Sequence, residues 1–192
     1  MVDLVSLHKH FISQHLSPGD VAVDFTMGNG NDTLYLSRAV GPTGRVYAFD
    51  IQQEALDSTA DLLTSSGAPE NYQLICASHH LAKDYVKEPI KAGMFNLGYL
   101  PRSGKKAVTT MRVTTLPAVQ AALELLAPDG VLIVAIYPGH EEGALEGEML
   151  REYFSTLSRF RICASEFRIL NSPTSPYFFL LEKSPKARFG EI

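Results

Sequence analysis

The chain has 192 residues, of which 45% are hydrophobic and 20% are charged, and its formal net charge at pH 7 is −4. This balance is typical of one globular domain with a sizeable core, which we expect to span residues 1–192. A net negative charge excludes a protein whose whole surface binds nucleic acid, but it leaves room for a local basic face. No apolar run approaches the ~18 residues of a membrane span, and no signal-peptide pattern is present, so we expect a cytoplasmic protein without a membrane partner.

Two cysteines, Cys76 and Cys163, each lie in an apolar stretch of the sequence. We expect both to be buried free thiols in a reducing compartment. The histidines and cysteines show no spacing typical of a metal site, so no metal is expected.

In the first half of the chain, short apolar strands alternate with segments of helical periodicity. A first helix is predicted over Leu4–Leu16. The later elements are strands at Val21–Phe25, Arg45–Asp50 and Tyr72–Ala77, and helices through Leu34, Leu36 and Ala39 and over Gln53–Ser65. We expect Asn31 or Asp32 to cap the second helix.

The second half continues the alternation and then changes. The pattern predicts strands at Lys91–Leu97 and Val131–Tyr137, helices through Leu116–Leu126 and Glu142–Leu157, and final strands at Phe160–Ile169 and Tyr177–Glu182. Because no helix separates the last two strands, they should form an antiparallel hairpin at one edge. The prediction is an α/β fold: a mostly parallel seven-stranded Rossmann-like sheet with helices on both faces, which binds ligands at the carboxyl ends of its strands.

The loop after the first strand contains two closely spaced glycines, Gly28 and Gly30, which let the backbone turn tightly and approach a ligand. Such a turn alone is a weak signal. A dinucleotide site would need a small residue where Thr33 stands, and it would not favour a carboxylate such as Asp24 beside a pyrophosphate. A negative charge there suits an ammonium or sulfonium group. Asp50, at the end of the second strand, can accept both hydroxyls of a ribose.

This pattern resembles class I S-adenosylmethionine-dependent methyltransferases, with a dinucleotide-dependent oxidoreductase as the alternative. Gln52 is placed to reach the same sugar or the edge of the base. The loop that contains Ser78 and His79 is expected to pack against the adenine. The cofactor site implied for S-adenosyl-L-methionine comprises Asp24, Thr26, Gly28, Asn29, Gly30, Asn31, Asp32, Thr33, Asp50, Gln52, Ser78, His79 and Asn96.

The segment Asn96–Pro101 resembles the Asn-Pro-Pro-Tyr loop of methyltransferases that modify exocyclic amines of bases, with Leu97-Gly98 in place of Pro-Pro. The Asn96 side-chain oxygen can accept an N–H bond from a target amine and aim its lone pair at the methyl group. Tyr99 can stack on a base. The basic cluster that follows can hold RNA phosphates, and it consists of Arg102, Lys105, Lys106 and Arg112.

Nearly the whole chain resembles one bacterial family, known as "putative rRNA methylase", which includes the tRNA 5-aminomethyl-2-thiouridine methyltransferase. The motifs that carry the resemblance are GNGNDT at 28–33, Asp50-Ile51-Gln52, Ser78-His79, FNLGYLP at 95–101 and YPGHEEG at 137–143. The resemblance implies methylation of the 5-aminomethyl nitrogen of a wobble 2-thiouridine in tRNA. Where the family usually has Gly-Gly-Asp-Lys, this chain has RSGK at 102–105.

From this resemblance and the loop chemistry, the expected catalytic residues are Asn96, Tyr99 and His140. Substrate contacts are expected from Leu97, Gly98, Tyr99, Pro101, Arg102, Lys105 and Tyr137. A neutral His140 can accept the proton of the target ammonium, orient a phosphate or pin its loop, and the sequence leaves these three roles open.

Two other functions stay open at this point. One keeps the cofactor but takes ribosomal RNA or a small amine as substrate, and the other is a cofactor-binding RNA-interaction protein without catalysis. The expected partner is tRNA or another RNA, and a homodimer is allowed by the sequence.

Overall fold

The structure, a computed structural model, describes residues 4–98, 111–139 and 141–192. Its strands are β1 (Val21–Asp24), β2 (Arg45–Asp50), β3 (Tyr72–Cys76), β4 (Ile90–Leu97), β5 (Leu126–Ile136), β6 (Ile162–Phe167) and β7 (Tyr177–Lys183). Its helices are α1 (Leu4–His15), α2 (Asn31–Val40), α3 (Gln53–Ser65), α4 (Ala82–Tyr85), α5 (Arg112–Leu125) and α6 (Glu141–Ser155), with a 3₁₀ turn at His79–Leu81.

All seven strands form one sheet in the order β3-β2-β1-β4-β5-β7-β6. Strands β1 to β5 pair in parallel, and β7 pairs antiparallel with both β5 and β6. The predicted mostly parallel sheet and its C-terminal hairpin are therefore confirmed. Because the parallel strands share one direction, the loops after β1, β2, β3, β4 and β5 leave from the same edge.

Side chains alternate between the two faces of the sheet and build an apolar cluster on each. Val23 and Phe95 face the side covered by α4, α5 and α6, while Ala22 and Met94 face the side covered by α1 and α2. On the first side, the rings of Phe25 and Phe95 stack with centroids 4.2 Å apart. This packing fixes the ends of β1 and β4, from which the site is built.

Strand β5 differs from the prediction at its start, because it begins at Leu126 and not at Val131. Its pairing with β4 shifts between Ile90 and Ala92, opposite the segment from Leu126 to Val131. Asp129, which lies in that segment, has a left-handed φ of 57°. The residues that precede the predicted strand start, Pro128-Asp129-Gly130, thus form an irregularity inside the pairing.

The expected side-chain cap of α2 by Asn31 or Asp32 is wrong. The helix begins at Asn31, and its N-cap is Gly30 in the left-handed conformation, with no side-chain cap hydrogen bond. The Asp32 carboxylate instead accepts a hydrogen bond from the Asn96 side chain. A tertiary contact therefore replaces the local one.

The expected burial of the two cysteines is also wrong. Both thiols are free, but both residues are exposed. The reason is topological, because Cys76 lies on β3 and Cys163 on β6, the two edge strands of the sheet. An apolar sequence neighbourhood does not ensure cover at an edge.

Asn71, just before β3, fastens the end of α2 to the sheet. Its amide donates to the carbonyl oxygens of Ser37 and Gly41 at 2.9 and 2.7 Å, and its own oxygen accepts from the Ser37 hydroxyl at 2.7 Å. Asn71 is buried. These two carbonyls also accept hydrogen bonds from the backbone amides of Gly41 and Gly44, so Asn71 gives each a second partner.

Replacing Asn71 with Asp keeps the shape of the side chain but turns two donated hydrogen bonds into oxygen–oxygen contacts. A carboxylate oxygen held against two carbonyl oxygens at this buried position should lower the free energy of unfolding by about 2 to 4 kcal/mol. The melting temperature should therefore fall by roughly 5 to 15 °C. The exposed Asn171→Asp is the matched control, and equal melting of the two variants would contradict this role of Asn71.

Candidate functional site

The loop between β1 and α2 closes over the ends of β1 and β2. Gly28 and Gly30 both have left-handed backbone, with φ of 51° and 79°. A Cβ on Gly30 would lie 2.8 Å from the Thr59 side chain on α3, so the packing of this loop against α3 requires a glycine. The loop is also bound to β2, since the Met27 amide donates to the Phe49 carbonyl at 2.9 Å.

Asp24, the last residue of β1, has no solvent exposure. Its carboxylate accepts hydrogen bonds from the Thr26 backbone amide at 3.1 Å and the Thr33 hydroxyl at 2.7 Å. Burial, reinforced by the nearby Asp32 carboxylate, raises the pKa of Asp24 to about 7, although both hydrogen bonds favour the charged form. The Thr33 side chain is therefore engaged by Asp24.

Asp50, at the end of β2, binds the first loop and its own turn. Its two carboxylate oxygens accept from the Gly28 amide at 3.2 Å and from the Gln52 amide at 3.0 Å. Burial raises the pKa of Asp50, while these bonds oppose the rise. The Ile51 backbone and the Gln52 side chain also hydrogen-bond to this carboxylate. Beside it, the side chain of Ile51 is 58% exposed, an unusual position for a large aliphatic residue and one to which the sequence analysis gave no role.

In the loop after β3, the neighbouring residues Ser78 and His79 have different surroundings. Ser78 Oγ lies 2.8 Å from Nδ1 of the exposed His80, a partner that the sequence did not indicate. The His79 ring is buried, with Nδ1 3.3 Å from the Phe25 carbonyl and its edge against Phe95. Burial lowers the pKa of His79 to about 4, so its ring is neutral at pH 7 and packs within the site wall.

Asn96 joins three elements near the end of β4. Its backbone amide donates to Thr26 Oγ1 at 2.7 Å, and its side-chain Nδ2 donates to Asp32 Oδ2 at 2.7 Å. Its side-chain Oδ1 accepts from the Tyr137 hydroxyl at 3.4 Å. The backbone and side chain of Asn96 therefore connect the loop after β1, the first turn of α2 and the residue after β5.

The neighbouring predicted substrate residues occupy different places. Leu97 is fully buried in the core beneath α5 and α6, so its side chain does not face the sheet edge, whereas Gly98 is partly exposed there. Tyr137 is 39% exposed, and burial of the hydroxyl together with the Asp32 charge raises its pKa. The predicted residues Tyr99, Pro101, Arg102, Lys105 and His140, and also Lys106, lie outside the described residues.

Arg112, the last member of the predicted basic cluster, pairs with an acid. Its Nε lies 3.1 Å from Glu142 Oε1, and its backbone amide donates to the same oxygen at 3.2 Å. The contact ties the start of α5 to the start of α6. The charge of Arg112 is thus already paired in this structure.

A cation that the sequence analysis did not single out also reaches the site. Lys9 of α1 lowers the pKa of Asp32, although burial raises it overall. The Lys9 ammonium lies 5.3 Å from the ring centroid of Tyr35, whose hydroxyl donates to the Lys9 carbonyl. No motif marks this position, because only the packing of α1 on α2 brings Lys9 to the site.

The part of the chain that the structure describes holds no cluster of three or more His, Cys, Asp or Glu side chains arranged for a metal ion. Its helices also include none with the length and apolar character of a membrane span.

Comparison with known proteins finds the same architecture and related sequences. The family described as "Putative rRNA methylase" matches residues 46–183. A chloroplastic tRNA (mnm5s2U34)-methyltransferase of Arabidopsis thaliana is 37% identical over 180 residues, 88% of this chain, and the chain spans 65% of that relative's length.

Two solved structures agree with this result. A "putative rRNA-methylase" of Clostridium thermocellum superposes with a TM-score of 0.91 at 35% identity, covering 95% of this chain and 98% of the other. A "putative methyltransferase" of Streptococcus mutans, solved in complex with SAH, superposes with a TM-score of 0.86 at 36% identity, covering 95% of this chain and 99% of the other. The Rossmann-like class I methyltransferase fold expected from the sequence is confirmed.

The buried carboxylate of Asp24 should reduce the stability of the ligand-free protein as the pH rises. Its pKa is about 7 in the folded chain against 3.8 in the unfolded one, so the folded state binds more protons between these values. Stability is therefore lost as the pH rises from about 4 to about 7, and the loss is complete above that range.

Asp24→Asn removes this penalty and should raise the free energy of unfolding at pH 8 by about 1 to 3 kcal/mol. This gain corresponds to a rise in melting temperature of roughly 3 to 10 °C. The gain should shrink to near zero at pH 4, which melting curves across this range measure. Asp61→Asn, on the exposed face of α3, is the control and should change melting little at any pH. A gain for Asp24→Asn that does not vary with pH would contradict the argument.

Proposed function

The chain belongs to the family described as "Putative rRNA methylase", and we propose that it is an S-adenosylmethionine-dependent methyltransferase of tRNA. The proposed reaction methylates the 5-aminomethyl nitrogen of a wobble 2-thiouridine. The observation that carries the proposal is the Asn96 side-chain oxygen, held at the sheet edge beside the carboxylate-rich loop after β1. The name of the Arabidopsis relative supports the choice of substrate.

The residues at the ends of β1 and β2 fit a nucleoside with a positively charged side chain. The partly exposed Asp50 carboxylate is an acceptor for ribose hydroxyls at the end of β2, and the exposed Ile51 offers an apolar surface to an adenine ring. Gln52 and Ser78 stand beside these two residues. The backbone of Asn29 and Asn31 lies at the start of α2, where the helix dipole favours the methionine carboxylate.

The charges of the loop favour the same ligand. The Asp32 carboxylate is close enough to Asp24 to disfavour its ionisation, and Asp50 adds to the effect. A bound sulfonium or ammonium group would relieve this repulsion. When bound, S-adenosylmethionine supplies a methyl group on a sulfonium, which transfers by in-line displacement and requires mainly correct position and exclusion of water.

The acceptor side has to orient an aliphatic amine. A neutral amine carries one lone pair, which has to point at the methyl group, and two N–H bonds, which need acceptors. Asn96 Oδ1 is such an acceptor, and its only contact among the described residues is the long 3.4 Å bond from Tyr137. The target ammonium must lose a proton first, and His140 as the base for this step is a prediction from the sequence.

Asp50→Ala should weaken binding of S-adenosylmethionine, because a charged acceptor for the ribose hydroxyls is lost. We expect the dissociation constant to rise by about 10- to 100-fold, measured by titration calorimetry. Asp61→Ala removes the same charge from the exposed face of α3 and should leave binding unchanged. Tight binding by Asp50→Ala would remove Asp50 from the site, and stronger binding of NAD than of S-adenosylmethionine would overturn the proposed cofactor.

The substrate is tested by methyl transfer from labelled S-adenosylmethionine. The acceptors are tRNA carrying 5-aminomethyl-2-thiouridine, the same tRNA without that modification, and ribosomal RNA. Nucleoside mass spectrometry should find 5-methylaminomethyl-2-thiouridine only with the first acceptor. Label in ribosomal RNA alone, or in no RNA, would overturn the proposed substrate.

In the same assay, Asn96→Ala should lower kcat by about 100-fold or more, since an oriented acceptor for the amine is lost. Gln73→Ala, which truncates an exposed amide on β3, is the control and should keep full activity. Undiminished methylation by Asn96→Ala would remove Asn96 from the proposed chemistry.

A further inference from the structure

The Asn96 amide is locked in one of its two possible orientations. Rotation by 180° about the last side-chain bond would exchange Oδ1 and Nδ2 with little change of shape. Asp32 distinguishes them, because an ionised carboxylate only accepts hydrogen bonds and Nδ2 lies 2.7 Å from its Oδ2. The amide nitrogen therefore faces Asp32, and the amide oxygen faces Tyr137 and the sheet edge.

The backbone around Asn96 is fixed as well, so the side-chain torsion is what Asp32 controls. The Asn96 backbone N–H donates to Thr26 Oγ1 at 2.7 Å, and the residue pairs with Ala135 of β5 within the sheet. Phe95, its predecessor, is stacked on Phe25 in the core. An anchored backbone with a rotatable amide needs one more contact to define the side chain, and Asp32 provides it.

We infer that Asp32 is a positioning residue, which acts through Asn96 to present an oxygen and not an NH2 group to the acceptor amine. The inference rests on the proposed function and changes the role of Asp32 from the cofactor contact expected from the sequence. With the amide reversed, the NH2 group would meet the N–H bonds of the substrate, and it would donate to the very lone pair that must attack the methyl group. The wrong orientation would therefore oppose the reaction directly.

Two neighbours oppose the effect of burial on Asp32. Burial raises the pKa of Asp32, whereas the hydrogen bond from Asn96 and the Lys9 ammonium favour its carboxylate form. Asp32 also gives up the local cap of α2 for a partner 64 residues away in the chain. The Asp32 carboxylate does not cap its own helix, and it accepts a short hydrogen bond from the Asn96 side chain instead.

A reciprocal exchange tests the inference. In Asn96→Asp alone, two carboxylates face each other, and kcat should fall by about 100-fold. In the double variant Asp32→Asn/Asn96→Asp, the new amide can donate to the new carboxylate, whose second oxygen again faces the acceptor. We expect the double variant to recover at least about tenfold in kcat over Asn96→Asp. A double variant as inactive as Asn96→Asp would overturn the inference.

The single variant Asp32→Ala separates positioning from cofactor binding. Loss of the lock should lower kcat by about 10- to 100-fold. Since only one of three neighbouring carboxylates is lost, the dissociation constant for S-adenosylmethionine should rise by a smaller factor, below about fivefold. The opposite pattern, weaker cofactor binding with kcat unchanged, would assign Asp32 to the cofactor. Asp61→Ala, with the same loss of charge on α3, is the control for both measurements.

A measurement without substrate keeps this result distinct from failure of the proposed function. In the ¹⁵N-labelled protein, the Asn96 side-chain amide, assigned by its loss in Asn96→Asp, should show one strongly shifted, slowly exchanging proton. That proton should lose both properties in Asp32→Ala. An unshifted amide in the wild type would overturn the lock itself. A shifted amide in a protein that methylates no tRNA would instead refute the proposed substrate.

Discussion

The carboxylate of Asp24 has no contact with solvent, yet it ends β1, an inner strand of the sheet, at the point where the candidate site begins. Burying an ionised group is unfavourable unless partners compensate it. The Thr26 amide and the Thr33 hydroxyl do so in part, but two further carboxylates nearby act against them. The loop after β1 is therefore arranged around a carboxyl group whose charged form the protein's own groups stabilise only in part.

Asn96 transmits this arrangement to the neighbouring strand. It donates hydrogen bonds to Thr26 in the first loop and to Asp32 in the first turn of α2, and it accepts one from Tyr137 after β5. A change in the first loop would move the amide that faces the proposed acceptor. The cofactor side and the acceptor side of the proposed site are thus one hydrogen-bonded structure, which explains why its residues come from distant parts of the sequence.

The sequence predicted the sheet well, because alternating apolar strands and amphipathic helices leave few arrangements that bury both faces. The antiparallel position of β7 also followed from the missing helix before it. Local rules failed where tertiary contacts compete with them. Asp32 has the ordinary properties of a helix cap, but it binds Asn96 instead. Cys76 and Cys163 have apolar neighbours in sequence, but edge strands leave them exposed.

The site residues divide in the same way. Asp24, Asp50 and Asn96 could be selected because each stands at or near the end of a predicted strand, where parallel sheets bind ligands. The burial of His79, the contribution of Lys9 and the exposure of Ile51 could not, because each depends on which helix covers which end of the sheet. A motif identifies residue types, whereas the orientation of an amide depends on its neighbours in space.

Stability and function conflict at one point of this structure. A folded chain that only had to be stable would place neutral groups at positions 24 and 32, since burial raises the pKa of both carboxyls. Such a chain would offer no compensating charge to a cationic ligand, and nothing would decide the orientation of Asn96. Departures from local rules are expected where a protein does its chemistry. The two aspartates are such departures, and their unfavourable burial supports the proposed site at this loop.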